Sequence, residues 1–316
     1  MRKYLFLLAA FPALALAQAY PSQPIRLIAP FPPGGSVDIM ARLIGEPLGS
    51  QLGTRVVTDN RSGASGNIGM EAAARAAPDG YTLVLNTIPL VTNQSLFDKL
   101  TWDPIRDFAP IGMVATAPHV LVVPAKLPAN SVGELVRLAR ASPGKLNYAS
   151  AGVGTTFHFC AEMFKDATGT FILHVPYRGG GPALLDTLAA QVDMSFPTLS
   201  AALPHIKAGT LRALGVTSVS RSAQLPEVPT LREAGVKDFQ FTQWLALLAP
   251  AGTPRAVLSR LNAALNAALN TRELKDRFEA QGFDAFTTTP EEAGKFLTAE
   301  AQRYAKLINA RGITAN

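Results

Sequence analysis

Short apolar runs alternate along this chain with stretches whose apolar residues recur three and four apart, and glycine or proline stands at most junctions. The first junction is the most informative. Ile25, Leu27, Ile28 and Ala29 suit a buried strand, Pro30, Pro32, Pro33, Gly34 and Gly35 break it, and from Ser36 a helical pattern puts Val37, Met40, Ala41, Ile44 and Leu48 on one face. A helix starting just past a strand end leaves its first-turn amides free to cradle an anion. The unit recurs at 145–165: a short strand through Tyr148, then Gly152 and Gly154, then Thr155 as cap of a helix with Phe157, Ala161 and Phe164 on one side. Two such cradles, far apart in sequence, predict two domains facing one ligand.

The rest of the pattern fills in α/β layers. Strands are expected at 55–58, 82–85, 109–115 and 119–123. Between the first two, Gly63, Gly66 and Asn67 open a short helix carrying Ile68, Ala72 and Ala76 and ending at Asp79-Gly80. Ser131 caps a helix to 141 through Leu135, Leu138 and Ala139; strands follow at 171–175, 192–196 and 211–217, with helices at 183–190, Pro182 at its first position, and 201–208. A long strand at 239–249 returns to the first block, a helix runs from Pro254 to Leu269, Thr271 caps another ended by Gly282, and Thr289-Pro290-Glu291-Glu292 is a capping box for a C-terminal helix. The terminal helices are expected on the first domain, so the chain crosses between domains twice.

Composition narrows the class. A chain of 316 residues, 48% hydrophobic and 16% charged, buries a substantial core and usually divides in two. Arg2 and Lys3 precede an apolar segment ending in Ala15-Leu16-Ala17 and Ala17-Gln18-Ala19, which reads as a cleavable signal peptide over 1–19 and an exported, periplasmic product. Its loss takes the formal charge from +6 to +4. The remaining basic residues are scattered, which argues against nucleic acid. No later stretch is long and apolar enough to span a bilayer. Cys160 is alone, so no internal disulfide or cysteine metal site is expected, and its apolar neighbours suggest an inert thiol.

Nucleotide motifs are absent: neither loop has the G-x-G-x-x-G spacing, and no phosphate-binding G-x-x-x-x-G-K-[ST] occurs. Ser36, Thr155 and Thr156 can cap helices or offer hydroxyls to a ligand, and Asp38 reads as a dipole-stabilising residue of the first turn. A secreted hydrolase using Ser150 and His158 is the alternative enzymatic reading, without a G-x-S-x-G elbow to support it. His119, His174 and His205 are isolated, and no paired-histidine metal spacing occurs. Tyr177 ends a strand before three glycines and can close over a ligand, Arg178 can pair with a carboxylate or remain solvated, and Phe31 can pack the cleft wall.

Several segments resemble one family, the tripartite tricarboxylate transporter solute receptors, or Bug proteins, of proteobacterial periplasms. They are P-F-P-P-G-G-S-V-D at 30–38, G-N-I-G at 66–69 running to A-P-D-G-Y-T-L at 77–83, A-G-V-G-T at 151–155, Y-R-G-G at 177–180, L-P-H-I-K-A-G at 203–209 and L-A-P-A-G-T-P at 248–254. The resemblance implies a type II periplasmic-binding-protein fold, two doubly wound α/β lobes joined by a two-strand hinge: domain 1 over 20–123 and 241–316, domain 2 over 124–240. It also implies a monomeric, non-enzymatic receptor without cofactor or metal, whose 30–38 and 150–156 loops grip a small organic carboxylate through amides, hydroxyls and waters for delivery to membrane transporter subunits. A sensory receptor with a signalling partner would share that site. Candidate binding residues are Phe31, Gly34, Gly35, Ser36, Asp38, Asn67 and Thr87 from the first domain, and Ser150, Gly154, Thr155, Thr156, Tyr177 and Thr198 from the second. Phe196-Pro197-Thr198-Leu199 departs from the F-D-N-L of many relatives, which puts the distal part of the site in question.

Overall fold

The computed structural model describes residues 20–313; the signal segment read at 1–19 lies outside them. The chain opens with β1 (Ile25–Ala29), α1 (Ser36–Leu52), β2 (Val56–Asn60), α2 (Asn67–Ala74), β3 (Thr82–Asn86), α3 (Pro89–Leu96) and β4 (Phe108–Pro118). It continues with β5 (Val120–Pro124), α4 (Val132–Ala141), β6 (Asn147–Ser150), α5 (Thr156–Thr168), β7 (Leu173–Pro176), α6 (Gly180–Leu188), β8 (Met194–Ser195), α7 (Leu199–Lys207) and β9 (Leu211–Val216). It closes with β10 (Thr242–Pro250), α8 (Arg255–Leu269), α9 (Arg272–Ala280), β11 (Asp284–Ala285) and α10 (Pro290–Arg311).

These elements build two mixed sheets, ordered β11-β4-β10-β3-β1-β2 and β7-β6-β8-β5-β9. In the first, β1 lies parallel between β2 and β3, which explains why Leu27, Ile28 and Ala29 are apolar in succession: helices cover both faces. Ile25, Leu27, Val37, Met40, Ile44 and Leu48 pack there with Leu261 and Leu265 of α8. The second sheet pairs β6 parallel to β7 and β8, and β5 antiparallel to β8 and β9. β4 belongs to the first sheet and β5 to the second, with His119 between them, and β9 and β10 stand likewise on the return.

Both crossings pass one threonine. The amides of His119 and Phe241 donate to Thr217 Oγ1 and to its carbonyl, at 2.8 and 2.9 Å, and the Thr217 hydroxyl lies 2.7 Å from the Phe241 carbonyl. Outward and return strands are thereby stitched side by side, a two-strand hinge. A further bridge lies behind it, where Tyr304 of α10 packs on Phe159 of α5 with ring centroids 5.2 Å apart.

Ser131, Thr271 and the Thr289/Glu292 box cap their helices as the sequence indicates. One helix was not expected, and three expectations are corrected. Helix α3 has no amphipathic stripe to reveal it, because Leu90, Val91, Thr92 and Asn93 are all buried. Helix α2 stops at Ala74 and buries Gly69, Met70 and Ala73; Ile68 is 54% exposed because Gly69, not a larger residue, meets Pro30. Helix α6 starts at Gly180, two residues before Pro182, and β7 starts at Leu173, leaving Phe171 exposed.

Candidate functional site

At the start of α1, Gly35 takes the cap position and its side-chain-free backbone leaves Ser36 as the first helical residue. The loop before it is fixed from behind. Asp38 is buried and accepts from the Gly34 amide at 3.0 Å, Arg42 Nε at 3.0 Å and Asn60 Nδ2 at 2.9 Å, while the same Asn60 amide reaches the Phe31 carbonyl at 3.0 Å. Burial alone would raise this carboxyl; Arg42, the Gly34 amide and Asn60 outweigh it and hold it below the usual range.

At the start of α5, Thr155 takes the cap position but its hydroxyl makes no cap bond; it donates to the Gly152 carbonyl at 2.6 Å. Behind this loop stand neutral rings. The Gly154 amide donates to His158 Nδ1 at 3.2 Å, His158 stacks on His174 at 4.4 Å, and His174 stacks on Tyr148 at 4.7 Å. His174 Nε2 lies 2.6 Å from Ser150 Oγ, so Ser150 pairs with His174 and not with His158, and His174 is not isolated. Burial pushes His158 down to about 4 and His174 to about 3, with the neighbouring His158 adding to the latter.

Between the loops lies an inner cavity of about 30 Å³, roughly two waters' worth at about 10–15 Å³ each. It is lined by residues of five helix starts: Gly35, Ser36 and Val37 of α1, Thr87 and Pro89 at α3, Thr155, Thr156 and Phe157 at α5, Gly180 of α6, and Ala201 in the first turn of α7. No lysine or arginine lines it. Each helix start carries about half a positive charge, and free amides besides, and five of them border this small space. Phe31 and Ala151 continue the wall into an outer cavity of about 260 Å³ lined also by Ser65, Phe97, Gly152, Tyr177 and Arg178.

The lobes meet around this space. Thr92 Oγ1 of the first donates to the Gly154 carbonyl of the second at 2.9 Å. Gly154, at φ +77°, sits where a Cβ would come 2.4 Å from Leu96, and Gly179, at φ +135°, where one would come 2.6 Å from Pro32. Both positions need glycine for backbone and for approach alike. This is a closed arrangement.

Of the sequence candidates, Phe31, Gly35, Ser36, Thr87, Thr155 and Thr156 line the inner cavity and Tyr177 the outer one, its hydroxyl on Asp186 at 2.7 Å. Burial and Asp186 push that phenol up to about 12. The other six stand behind. Gly34 and Asp38 bond to each other, Asn67 accepts from Asn93 at 2.7 Å, Ser150 and Gly154 are held by the histidines, and Thr198 is wholly buried, accepting from Ser200 at 3.0 Å. The sequence reading missed Gln243. It is wholly buried on β10, its Nε2 donating to Ser36 Oγ at 3.1 Å and its Oε1 accepting from Thr156 Oγ1 at 3.3 Å. The available signal was an amide beside the apolar run of a crossing strand. Pro89, in the first turn of α3, was the corresponding signal for that helix.

Comparison with known proteins bears on this geometry. The protein BugT of Bordetella pertussis is 39% identical over 298 residues, covering 94% of this chain and 91% of its own length. A Rhodopseudomonas palustris protein solved with adipate superposes with TM-score 0.90 at 34% identity over 93% of this chain and 99% of its own. MatC of the same organism, solved with bound malate, superposes with TM-score 0.85 at 29% identity, covering 92% and 100%. The description "Tripartite tricarboxylate transporter family receptor" fits residues 40–313. Two α/β lobes, a closed cleft between their helix starts and these relationships together mean that the chain belongs to the tripartite tricarboxylate transporter receptor family.

Proposed function

We propose that this protein is an exported, periplasmic and monomeric receptor that takes a small organic carboxylate into the cleft and hands it to the membrane subunits of a tripartite transporter. One observation carries the reading: five helix starts from two lobes converge on a cavity lined by no charged side chain. Such a site attracts an anion and leaves it unpaired, so release needs no ion pair to be broken. The neighbours solved with adipate and malate support carboxylates as the class. We take the lobes as 20–118 with 242–313, and 119–241. A solute touching both binds the closed form better and shifts the population toward it. The carboxylate end sits in the inner cavity and the body extends past Phe31 toward Tyr177. The protein acts without catalysis: Ser150 is wholly buried and its histidine partner lies stacked between Tyr148 and His158.

The test is a thermal-shift and calorimetric screen with malate, adipate and benzoate among other carboxylic acids. At least one acid raises the melting temperature, as a solute bound only by the folded state must, and Ser36→Phe abolishes that rise with the unliganded protein still folded. A screen with no responding acid, or full affinity in Ser36→Phe, overturns the reading.

A further inference from the structure

The two faces of the return strand hold different partners, as alternation along a strand requires. Trp244 Nε1 donates to Glu300 Oε2 of α10 at 2.8 Å. Gln243 faces the helix starts and bonds to the hydroxyls of two first helical residues, Ser36 of α1 and Thr156 of α5. β10 is hydrogen-bonded to β3 and β4 of the first sheet, so opening the hinge carries Gln243 away with Ser36 and from Thr156. The amide is wholly buried and cannot readily replace that bond with water.

We propose that Gln243 is a positioning residue that latches the two cradles together and sets the hydrogen-bonding sense of their hydroxyls. The inference rests on the carboxylate-receptor reading for its ligand, though not for its latch. A primary amide offers a donor and an acceptor whichever way it is turned. One cradle hydroxyl therefore accepts from it and keeps its own proton for an anionic oxygen in the cavity, while the other spends its proton on the amide. The amide also interacts with the neighbouring ring of His119. The Nδ1 of that ring donates to the Phe196 carbonyl at 2.6 Å, leaving Nε2 an acceptor between the rings of Phe157 and Phe241.

The experiment uses Gln243→Met, which keeps length and removes the hydrogen bonds, and Gln243→Glu. Spin labels at Glu46→Cys and Leu185→Cys report lobe separation, since Cys160 is buried and takes no label. Without solute, Gln243→Met shifts the label distances to a longer, broader population than the parent. Affinity for any of malate, adipate or benzoate that the parent binds falls about tenfold, the scale of one lost hydrogen bond with its partner left unpaired. Gln243→Glu binds more weakly still at pH 8, where it accepts from both hydroxyls and repels the anion. It recovers toward the parent by pH 5, as the acid form again offers one donor and one acceptor; the parent titrated alongside removes any contribution of His119. A scaffold role alone gives a penalty that does not vary with pH. Unchanged distances in Gln243→Met overturn the latch even if carboxylates bind. Lengthened distances with no acid bound by the parent keep the latch and sink the receptor reading. A Gln243→Glu deficit flat from pH 8 to 5 overturns the hydroxyl-setting role.

Discussion

The loop before α1 is held in place by a charged network, and the loop before α5 by neutral rings. On the first side a buried carboxylate gathers Arg42, Asn60 and the Gly34 amide; on the second, His158 receives the Gly154 amide and His174 meets Ser150. The cavity they share receives no charged side chain from either. Net charge is thus kept out of the inner cavity's lining and stands behind it, where it sets backbone geometry. The difference also means that acid attacks the two sides in separate ranges of pH.

The comparison is broken most severely at its point of contact. Gly154→Ala forces a Cβ into Leu96 at a left-handed backbone position, and strain of about 1 kcal/mol or more adds to lost closure. Carboxylate affinity should fall by about a hundredfold or more, on the scale of 1.4 kcal/mol per decade, with the label distances between lobes lengthened. Calorimetry showing native affinity would mean that the cleft does not close there.

Titration sharpens the comparison. His158 and His174 have folded values of about 4 and 3, and His119, pressed by burial, about 4. An unfolded histidine titrates near about 6.5, so below that pH the unfolded chain binds more protons and stability falls as the pH drops through the folded values. The Asp38 carboxyl is held low, so its contribution is present above an unfolded value of about 3.9 and is lost only below that. Melting temperature should therefore decline from pH 6.5 toward 4. His174→Phe flattens part of that slope, whereas Asp38→Asn leaves the slope alone and lowers the whole curve. A wild-type curve level between pH 6.5 and 4.5 would contradict the neutral-ring account of the second side.

The smallest effect tests the claim that no cation is needed. Arg178, exposed at the rim of the outer cavity, should change affinity no more than about threefold when replaced by Ala, the range of a solvated ion pair. A loss of a hundredfold would put an ion pair into the binding mode.

How much of this was written in the sequence follows from what local patterns encode. Val37, Met40, Ile44 and Leu48 announced α1 because an amphipathic stripe records one buried face. Helix α3 is enclosed all round and leaves no stripe, so it went unread, whereas α6 and α7 were read as helices but only the starts of α1 and α5 as cradles. The glycine breaks before helical patterns marked the two loops, and Ser36 and Thr156 were named from them as hydroxyls at helix starts. The residue that joins them was not, because Gln243 lies 207 positions from Ser36 and 87 from Thr156. Asp38 and Ser150 illustrate the converse: polar residues in the right loops whose side chains face away from the cavity, a distinction set by the turn and not by residue type.

A pull built from peptide dipoles behaves differently from one built on a guanidinium. Raising the local dielectric weakens both, but ion–ion attraction falls slowly with distance, whereas oriented amides act at contact, where entering water competes for their hydrogen bonds. If the five helix starts hold a solute as proposed, its retention would depend on keeping water out, and prising the lobes apart would release it without a competing ligand.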